Sequence, residues 1–459
     1  MGNVVGPMPN IRTKKLNPVA RILQARHCSI NVLYERSYVM KMGDIWTPRG
    51  MMYFINQPDI VSRILHSDPD LYPKSDLMGA TLHQVLGNGI FVSKGQTWRR
   101  QRKMMTPAFE LARISEVFDL MMDAAKAMKE RLDLMADGQE VRIDFEMTHV
   151  AADIIFRTIF SEPLTREDAE TIFSAFNSYQ ELAYEHGVWS MAGLPQAFSL
   201  ARMRAQKYAR IIRTMLGRMV HRRFELLAAN PENPPRDILA SLIEATDDDG
   251  VHFTESELTD QIAVLFLAGH ETSASTMAWA IYLLGEDREI QKRMREEIDL
   301  VFAQEGGFAP RHFKLMKLTR DVFRETLRLY PPVPFVPRDI TRDEVIRDKN
   351  VRRGSTIFVS PWLLHRHRKH WKNPDVFDPD RFSREDEKES IRTSYMPFSE
   401  GSRVCLGASF AMQEGAIILA MMTRYFVIAP VESRVPKPVA RLSLRSENGV
   451  FVKLLRRQT

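Results

Sequence analysis

Between Trp98 and about Met316, apolar residues recur every three to four positions, the period of helices that bury one face. The longest such segments cover 108–136, 146–160, 166–186, 198–228 and 254–285, and turns such as Asn230-Pro-Glu-Asn-Pro-Pro235 separate them. Outside this body the pattern changes. Residues 1 to about 75 combine a helical stretch near Ser29 to Met42 with strand-like runs such as Met51-Met-Tyr-Phe-Ile55. Past Met316, Pro331-Pro332-Val-Pro334-Phe-Val-Pro337 is unable to continue a helix, and Val351 to Val359 alternates as strands do. Ala440 to Leu455 reads as a hairpin about Glu447-Asn448-Gly449. The prediction is a mainly α protein with a smaller β portion, one domain over 1–459. Its α-rich body spans about 98–330, and its β-containing parts about 43–75, 331–360 and 440–456.

The segment from Thr254 opens with a capping box, Thr254-Glu-Ser-Glu257, and carries Leu258, Ile262, Leu265 and Phe266, then Met277, Ile281 and Leu284. Some thirty residues at about 1.5 Å each give a helix of roughly 45 Å, long enough to cross the molecule. Its middle reads Ala268-Gly269-His270-Glu271-Thr272-Ser273. Glycine, a carboxylate, an imidazole and hydroxyls all disfavour a plain buried helix there. The Thr272 hydroxyl competes for the Ala268 carbonyl one turn back and opens the helix locally. Beside Ala268 and Gly269 a diatomic ligand and a water would then fit. Taken alone, such a string describes a kinked core helix equally well.

Charge and cysteine content narrow the function. Sixty-four Lys and Arg against fifty-eight Asp and Glu leave +6, spread along the chain with no basic stripe and interleaved aromatics, so nucleic acid is not the expected partner. Only Cys28 and Cys405 are present, which leaves no disulfide framework, zinc-type CxxC pair or iron–sulfur ligand set. Cys28 reads as inert packing. No apolar run approaches the roughly 18 to 20 residues that span a bilayer, the first ten residues lack a signal-peptide core, and Gly6 stands where myristoylation wants Ser or Thr. A soluble, cytoplasmic protein without a transmembrane anchor is expected. The highly charged segment bearing His365, His367 and His370 reads as a solvated loop rather than a metal site.

Cys405 carries the most chemistry. It lies in Phe398-Ser-Glu-Gly401-Ser-Arg403-Val-Cys405-Leu-Gly407, before an apolar helix from Ala408 to about Tyr425. Two glycines allow a tight loop whose N–H groups converge on the sulfur, and the helix points its positive end there. A thiol so placed ionises readily and ligates metal. The row fits FxxGxRxCxG at every fixed position, and here the chain resembles the cytochrome P450 family of haem-thiolate monooxygenases, in its soluble bacterial type.

That resemblance implies the cytochrome P450 fold, with haem b (iron protoporphyrin IX) between the long central helix and the helix after the cysteine. Cys405 would be the iron ligand, and its thiolate favours O–O cleavage. Ala268 to Ser273 resembles the motif AGx(D/E)T(T/S), which implies that Thr272 hydrogen-bonds dioxygen and Glu271 helps deliver protons. Glu325-Thr-Leu-Arg328 and Pro379-Asp-Arg381-Phe382 resemble ExxR and PxRF, implying a buried structural network of Glu325, Arg328 and Arg381. Trp98-Arg-Arg-Gln-Arg102 resembles WxxxR. With Ala268, Gly269, Arg338, Phe398, Gly401, Arg403 and Gly407, Trp98 and Arg102 would contact the cofactor, the arginines taking its propionates.

The implied substrate pocket draws on the 76–92 loop (Leu77, Met78, Leu82, Val85, Leu86, Phe91), on Phe173, Phe176, Tyr179 and Trp189, on Phe266, on Val333 to Val336 with Phe335, and on the 447–450 turn. A hydrophobic small molecule would be hydroxylated or epoxidised there. No GxGxxG or flavin segment is present, so electrons would come from NAD(P)H through a reductase and a separate ferredoxin or flavodoxin. Arg99, Arg100, Arg102 and Lys103 would suit an acidic donor. A monomer is expected. The rival readings are a peroxide-driven peroxygenase and a non-catalytic haem-binding protein.

Overall fold

The structure, a computed structural model, describes residues 4–457 apart from 111–114, 192–199, 231, 233, 234 and 306. Helix makes up 58% and strand 12%, the mainly α class predicted. The first half runs α1 (Pro18–His27), β1 (Met42–Thr47), β2 (Gly50–Ile55), α2 (Pro58–His66), α3 (Asp76–Leu86), α4 (Gly95–Met105), α5 (Phe118–Asp133), β3 (Glu140–Arg142), α6 (Ile143–Phe160), α7 (Arg166–Met191), α8 (Leu200–Ala229) and α9 (Ile238–Glu244). The second half adds α10 (Glu255–Glu286), α11 (Arg288–Phe302), α12 (Lys317–Leu329), β4 (Val336–Asp339), β5 (Glu344–Ile346), β6 (Lys349–Val351), β7 (Thr356–Val359), α13 (Pro361–Leu364), α14 (Lys388–Ser394) and α15 (Ala408–Tyr425). β8 (Phe426–Pro430), β9 (Pro438–Ala440), β10 (Leu444–Ser446) and β11 (Phe451–Arg456) close the chain.

α10 is the axis. Its capping box forms as the sequence requires: Thr254 Oγ1 accepts from the Glu257 N–H at 3.2 Å, and the Glu257 carboxylate accepts from the Thr254 N–H at 2.9 Å. α6, α8, α12 and α15 pack around it. Two glycines allow the closest approaches. A Cβ on Gly269 would lie 2.5 Å from the Ile155 side chain of α6, and one on Gly415 of α15 would lie 2.3 Å from the Phe323 ring of α12. The core between these helices is continuous and apolar, including fully buried Ile262, Met277, Trp279, Phe323 and Ile417. A second cluster sits under the four-stranded sheet β1-β2-β7-β4, in which only the β2–β7 pair is parallel.

Several expectations need correction. The stretch near Ser29 to Met42 is two short 3-10 turns, Ser29–Val32 and Glu35–Tyr38, leading into β1, so that Ile30, Leu33 and Tyr38 reach the core from successive turns. Most of the 76–92 loop is helix α3: the Ser75 hydroxyl caps it by accepting from the Leu77 N–H, and Gly87 ends it at φ +52°. The hairpin about Glu447 to Gly449 does not exist. β10 pairs with β9 around a tip at 441–443, and β11 pairs with β8 and β3, so the 447–449 turn joins strands of different sheets. Of the 108–136 and 198–228 segments, residues 111–114 and 198–199 lie outside the described residues.

Candidate functional site

Cys405 stands three residues before α15, and its N–H donates to Phe398 O at 2.9 Å, closing the loop that both residues flank. Gly401 is required by position: its φ is +71°, and a Cβ there would lie 2.0 Å from Leu65 O. Gly407 is not. It has an ordinary φ of −83°, and a Cβ there would meet open space. Cys405 is exposed as a residue, while protein packs closely around its thiol. Burial pushes the thiol up, and the Gly407 N–H and the Arg102 charge only oppose this. The expected ready ionisation is therefore corrected: in the protein alone desolvation dominates, and a metal cation bonded to the sulfur would reverse it.

On α10 the accessible face lies at the unusual block. Ala268 is exposed and Leu265 and Thr272 are half-buried, whereas 273–285 are buried throughout. Thr272 Oγ1 donates to Ala268 O at 2.6 Å, the backbone competition expected from sequence. Glu271 is held from two other elements. Its Oε1 accepts from Ser443 Oγ at 2.5 Å, at the β9–β10 tip, and its Oε2 accepts from Gln180 Nε2 on α7. Next along, Ser273 Oγ donates at 2.6 Å to Glu414 Oε2 on α15, while Glu414 Oε1 is buried without a partner. Burial raises this carboxyl to about 8, so it is protonated at neutral pH. Glu414 was missed in the sequence, although a carboxylate inside the apolar run Ala-Met-Gln-Glu-Gly-Ala-Ile-Ile-Leu is itself a signal of a buried role.

Four cations converge beside the cysteine loop. Arg102 Nη1 donates to Val404 O at 2.7 Å, Arg338 Nη1 to its neighbour Pro337 O at 3.0 Å, and Arg403 Nη1 to Tyr72 O at 3.1 Å. Lys74 Nζ donates to Ile90 O and to Ser93 O. Trp98 lies between them, with the Arg403 guanidinium 5.0 Å and Lys74 Nζ 5.8 Å from its ring centroid. None of the four has a carboxylate partner among the described residues, and Arg403 Nε and Nη2 are buried with no acceptor. Burial, then the other cations, pushes Lys74 down to about 6; burial and Arg403 push Arg338 down to about 10. This cradle fits a group bearing two carboxylates, as a haem does. Lys74 was also missed, because nothing in Tyr72-Pro73-Lys74-Ser75 distinguishes it from a surface lysine.

Glu325 and Arg328 pair as their spacing predicted, and Arg381 joins them as the resemblance implied. Arg328 forks onto both Glu325 oxygens at 2.8 Å, and Arg381 Nε reaches Oε1 at 3.2 Å, all three fully buried. Glu387 joins them, accepting from Arg381 Nη1 at 2.6 Å. The network touches the cysteine loop through His365, whose Nδ1 lies 3.3 Å from Arg328 O and whose Nε2 accepts from the Met396 N–H at 2.9 Å. The solvated-loop reading is therefore wrong: His365 and His367 are buried, and burial, then Arg328 and Arg366, hold His365 at about 3 and neutral.

Other expected residues are placed differently. Phe266 packs edge-on against Phe156 at 5.5 Å and, with Phe176, around the His270 ring at 4.6 and 5.0 Å. Both belong to the α6–α7 side of α10, because six residues turn Phe266 well away from Thr272. Leu86 is buried, Leu77, Met78, Phe91 and Val333 are half-buried, and Phe335 stands edge-on to Phe54 at 6.0 Å. Arg99 pairs with Asp68 and Asp70, Arg100 with Asp247 and Glu257, and Lys103 with Asp248, so these side chains are matched within the chain.

Comparison with known proteins meets this geometry. Residues 21–453 match the family model described as Cytochrome P450. The chain is 28% identical to human cytochrome P450 4V2, covering 91% of this chain and 83% of that protein. It is 30% identical to cyclooctatin synthase of Streptomyces melanosporofaciens, over 86% and 84% of the two chains. The crystal structure of the cytochrome P450DA heme domain superposes with a TM-score of 0.78 at 20% identity, covering 91% of this chain and 89% of that one, a likeness of fold. Among the described residues no helix is long and apolar enough to cross a membrane.

Proposed function

The chain belongs to the cytochrome P450 family of haem monooxygenases, and on that premise we propose how its own residues serve the reaction. The bound haem, here haem b, would supply dioxygen activation, with the thiolate donating electron density. Cys405 Sγ is the proposed iron ligand. Trp98, Arg102, Arg338 and Arg403, together with Lys74, would hold the propionates, and Phe398, Gly401 and Gly407 shape the loop beneath. The observation that carries this reading is the cluster of three arginines and Lys74 without a carboxylate partner among the described residues, set beside an exposed cysteine.

On α10, Thr272 Oγ1 holds a proton that it now gives to Ala268 O at 2.6 Å, and a turn of its hydroxyl redirects that proton to the accessible side of the helix. Glu271 and Glu414 flank it. Glu414, protonated at neutral pH, accepts from Ser273 Oγ and keeps a proton in reserve beside Thr272, while Glu271 is fixed by Gln180 and Ser443. The missing side chain of Gly269 is filled by Ile155, so Gly269 serves the packing of α10 on α6, and Ala268 is the residue that leaves room. Carboxyls on both flanks of Thr272 favour dioxygen over peroxide as the oxidant, since only the former needs protons delivered. The Glu325, Arg328 and Arg381 network, with Glu387, holds the loop in place.

The substrate would be a hydrophobic small molecule, hydroxylated or epoxidised above Ala268, with Leu77, Met78, Leu86, Phe91, Val333 and Phe335 on the approach and the 441–443 tip in place of the 447–450 turn. A separate ferredoxin or flavodoxin with an NAD(P)H reductase would supply electrons, and a soluble, cytoplasmic, single-domain monomer completes the reading. The test screens apolar compounds for the low-spin to high-spin shift, then measures product formed per electron from either donor. Product with peroxide and none with either donor would replace this reading by a peroxygenase.

A further inference from the structure

A cleft of about 420 Å³ opens beside α10 between α7 and the β9–β10 strands, and neither Cys405, Ala268 nor Thr272 lines it. Its size falls within the roughly 300 to 1,000 Å³ of small-molecule sites. Phe173 and Phe176 of α7, and Ala274, Ala278 and Trp279 of α10, form apolar walls. Ala274 and Ala278 lie about 200° and 240° around the helix from Thr272, and Trp279 lies seven residues, about 10 Å, further along, so the cleft is offset from Thr272 around and along α10.

The mouth is charged, and pairing decides what it would hold. Its carboxylates outnumber its guanidinium groups, but each is already engaged. Asp144 accepts from Arg142 at 3.3 Å and from the Val450 N–H at 2.9 Å. Glu181 pairs with Arg441 at 3.5 Å, and Glu447 with His27 at 2.7 Å. Glu271 is taken by Ser443 and Gln180. Arg445, half-buried on β10, has no ion-pair or hydrogen-bond partner among the described residues. The group left unmatched is therefore a donor.

We propose that this cleft is a second ligand site, separate from the haem pocket, for a small aromatic carboxylate. Arg445 takes the carboxylate, bidentate, at the mouth, and the ring lies against Phe173, Phe176 and Trp279. The site goes beyond the monooxygenase reading, and although Glu271 of the proposed proton delivery lines it, the cleft contains no residue assigned to the cofactor.

The test is equilibrium dialysis of 2-naphthoate against holoprotein whose iron is saturated with a nitrogen-ligating azole, which occupies the haem side. One equivalent should bind with the azole in place. Arg445→Glu should weaken that binding about tenfold or more. Ala278→Phe should abolish it by filling the cleft, with the azole-bound spectrum unchanged in both variants as proof of an intact haem side. The amine 1-naphthylmethylammonium should not bind. Displacement of naphthoate by the azole, wild-type affinity in Arg445→Glu, or equal binding of the amine would each overturn the proposal.

Discussion

Two charged clusters, one buried and one half-buried, flank the cysteine loop, and they are built on opposite principles. In Glu325, Arg328, Arg381 and Glu387 the charges balance, and the guanidinium groups also reach the carbonyls of His365, Pro374 and Lys372. In Lys74, Arg102, Arg338 and Arg403 four basic side chains face one another and a tryptophan, with two Arg403 nitrogens unmatched and Lys74 driven down to about 6, largely uncharged at neutral pH until an anion restores its proton. The first is complete as folded and acts as structure. The second is complete only with an anionic guest, because like charges without counter-charge raise the free energy of the protein alone.

This contrast orders the consequences of breaking each part. Glu325→Ala strands the buried Arg328 guanidinium, leaving Arg381 only Glu387, and should cost about 3 to 5 kcal/mol. Urea denaturation should show the loss, with little haem retained; a variant as stable as wild type and normally loaded would dissolve the distinction. Arg403→Ala should do the reverse. Its apoprotein should unfold at the wild-type urea midpoint or slightly above, since one repulsive charge is gone, while haem transfer to an acceptor globin speeds up roughly ten- to a hundredfold, the worth of one or two charge-assisted bonds. Loss of apoprotein stability instead would make Arg403 a structural residue.

Glu414 sharpens the comparison with pH. Its carboxyl is raised from 4.5 to about 8, so the folded chain keeps the proton that the unfolded chain loses, and stability present below 4.5 declines as pH rises toward 8. Glu414→Gln, which stays neutral, should gain on wild type by roughly 1 kcal/mol per pH unit across that window. A pH-independent difference would refute a buried protonated Glu414. The smallest effect on stability belongs to Thr272→Ala, which removes one local bond from α10. Its unfolding should shift by under about 1 kcal/mol, while product per electron falls and peroxide rises. Unchanged coupling would remove Thr272 from proton handling.

Long-period helices, the capping box at Thr254 and the helix that begins at Ala408 were legible because each is written locally, in spacing and caps. So was the Glu325–Arg328 pair, three apart on one helix face. What escaped depends on chain segments distant in sequence. Lys74, His365 and Glu387 gain their roles only when β4, α12 and the segment before Met396 fold against them. The hairpin was misplaced because the turn residues Asn448 and Gly449 are real, while strand partnership is decided by β3 and β9 elsewhere in the chain. Phe176 and Phe266 were assigned to the substrate pocket by resemblance, and their apolarity gave no check, since it marks burial without saying which side of α10 is buried.

The most direct test is the absorption spectrum of the ferrous, carbon-monoxide-bound protein, compared with that of Cys405→Ala. The account predicts the red-shifted Soret band of thiolate-ligated haem in the first and its loss in the second. An imidazole-type band in the wild type, or a red-shifted band that survives the substitution, would contradict it.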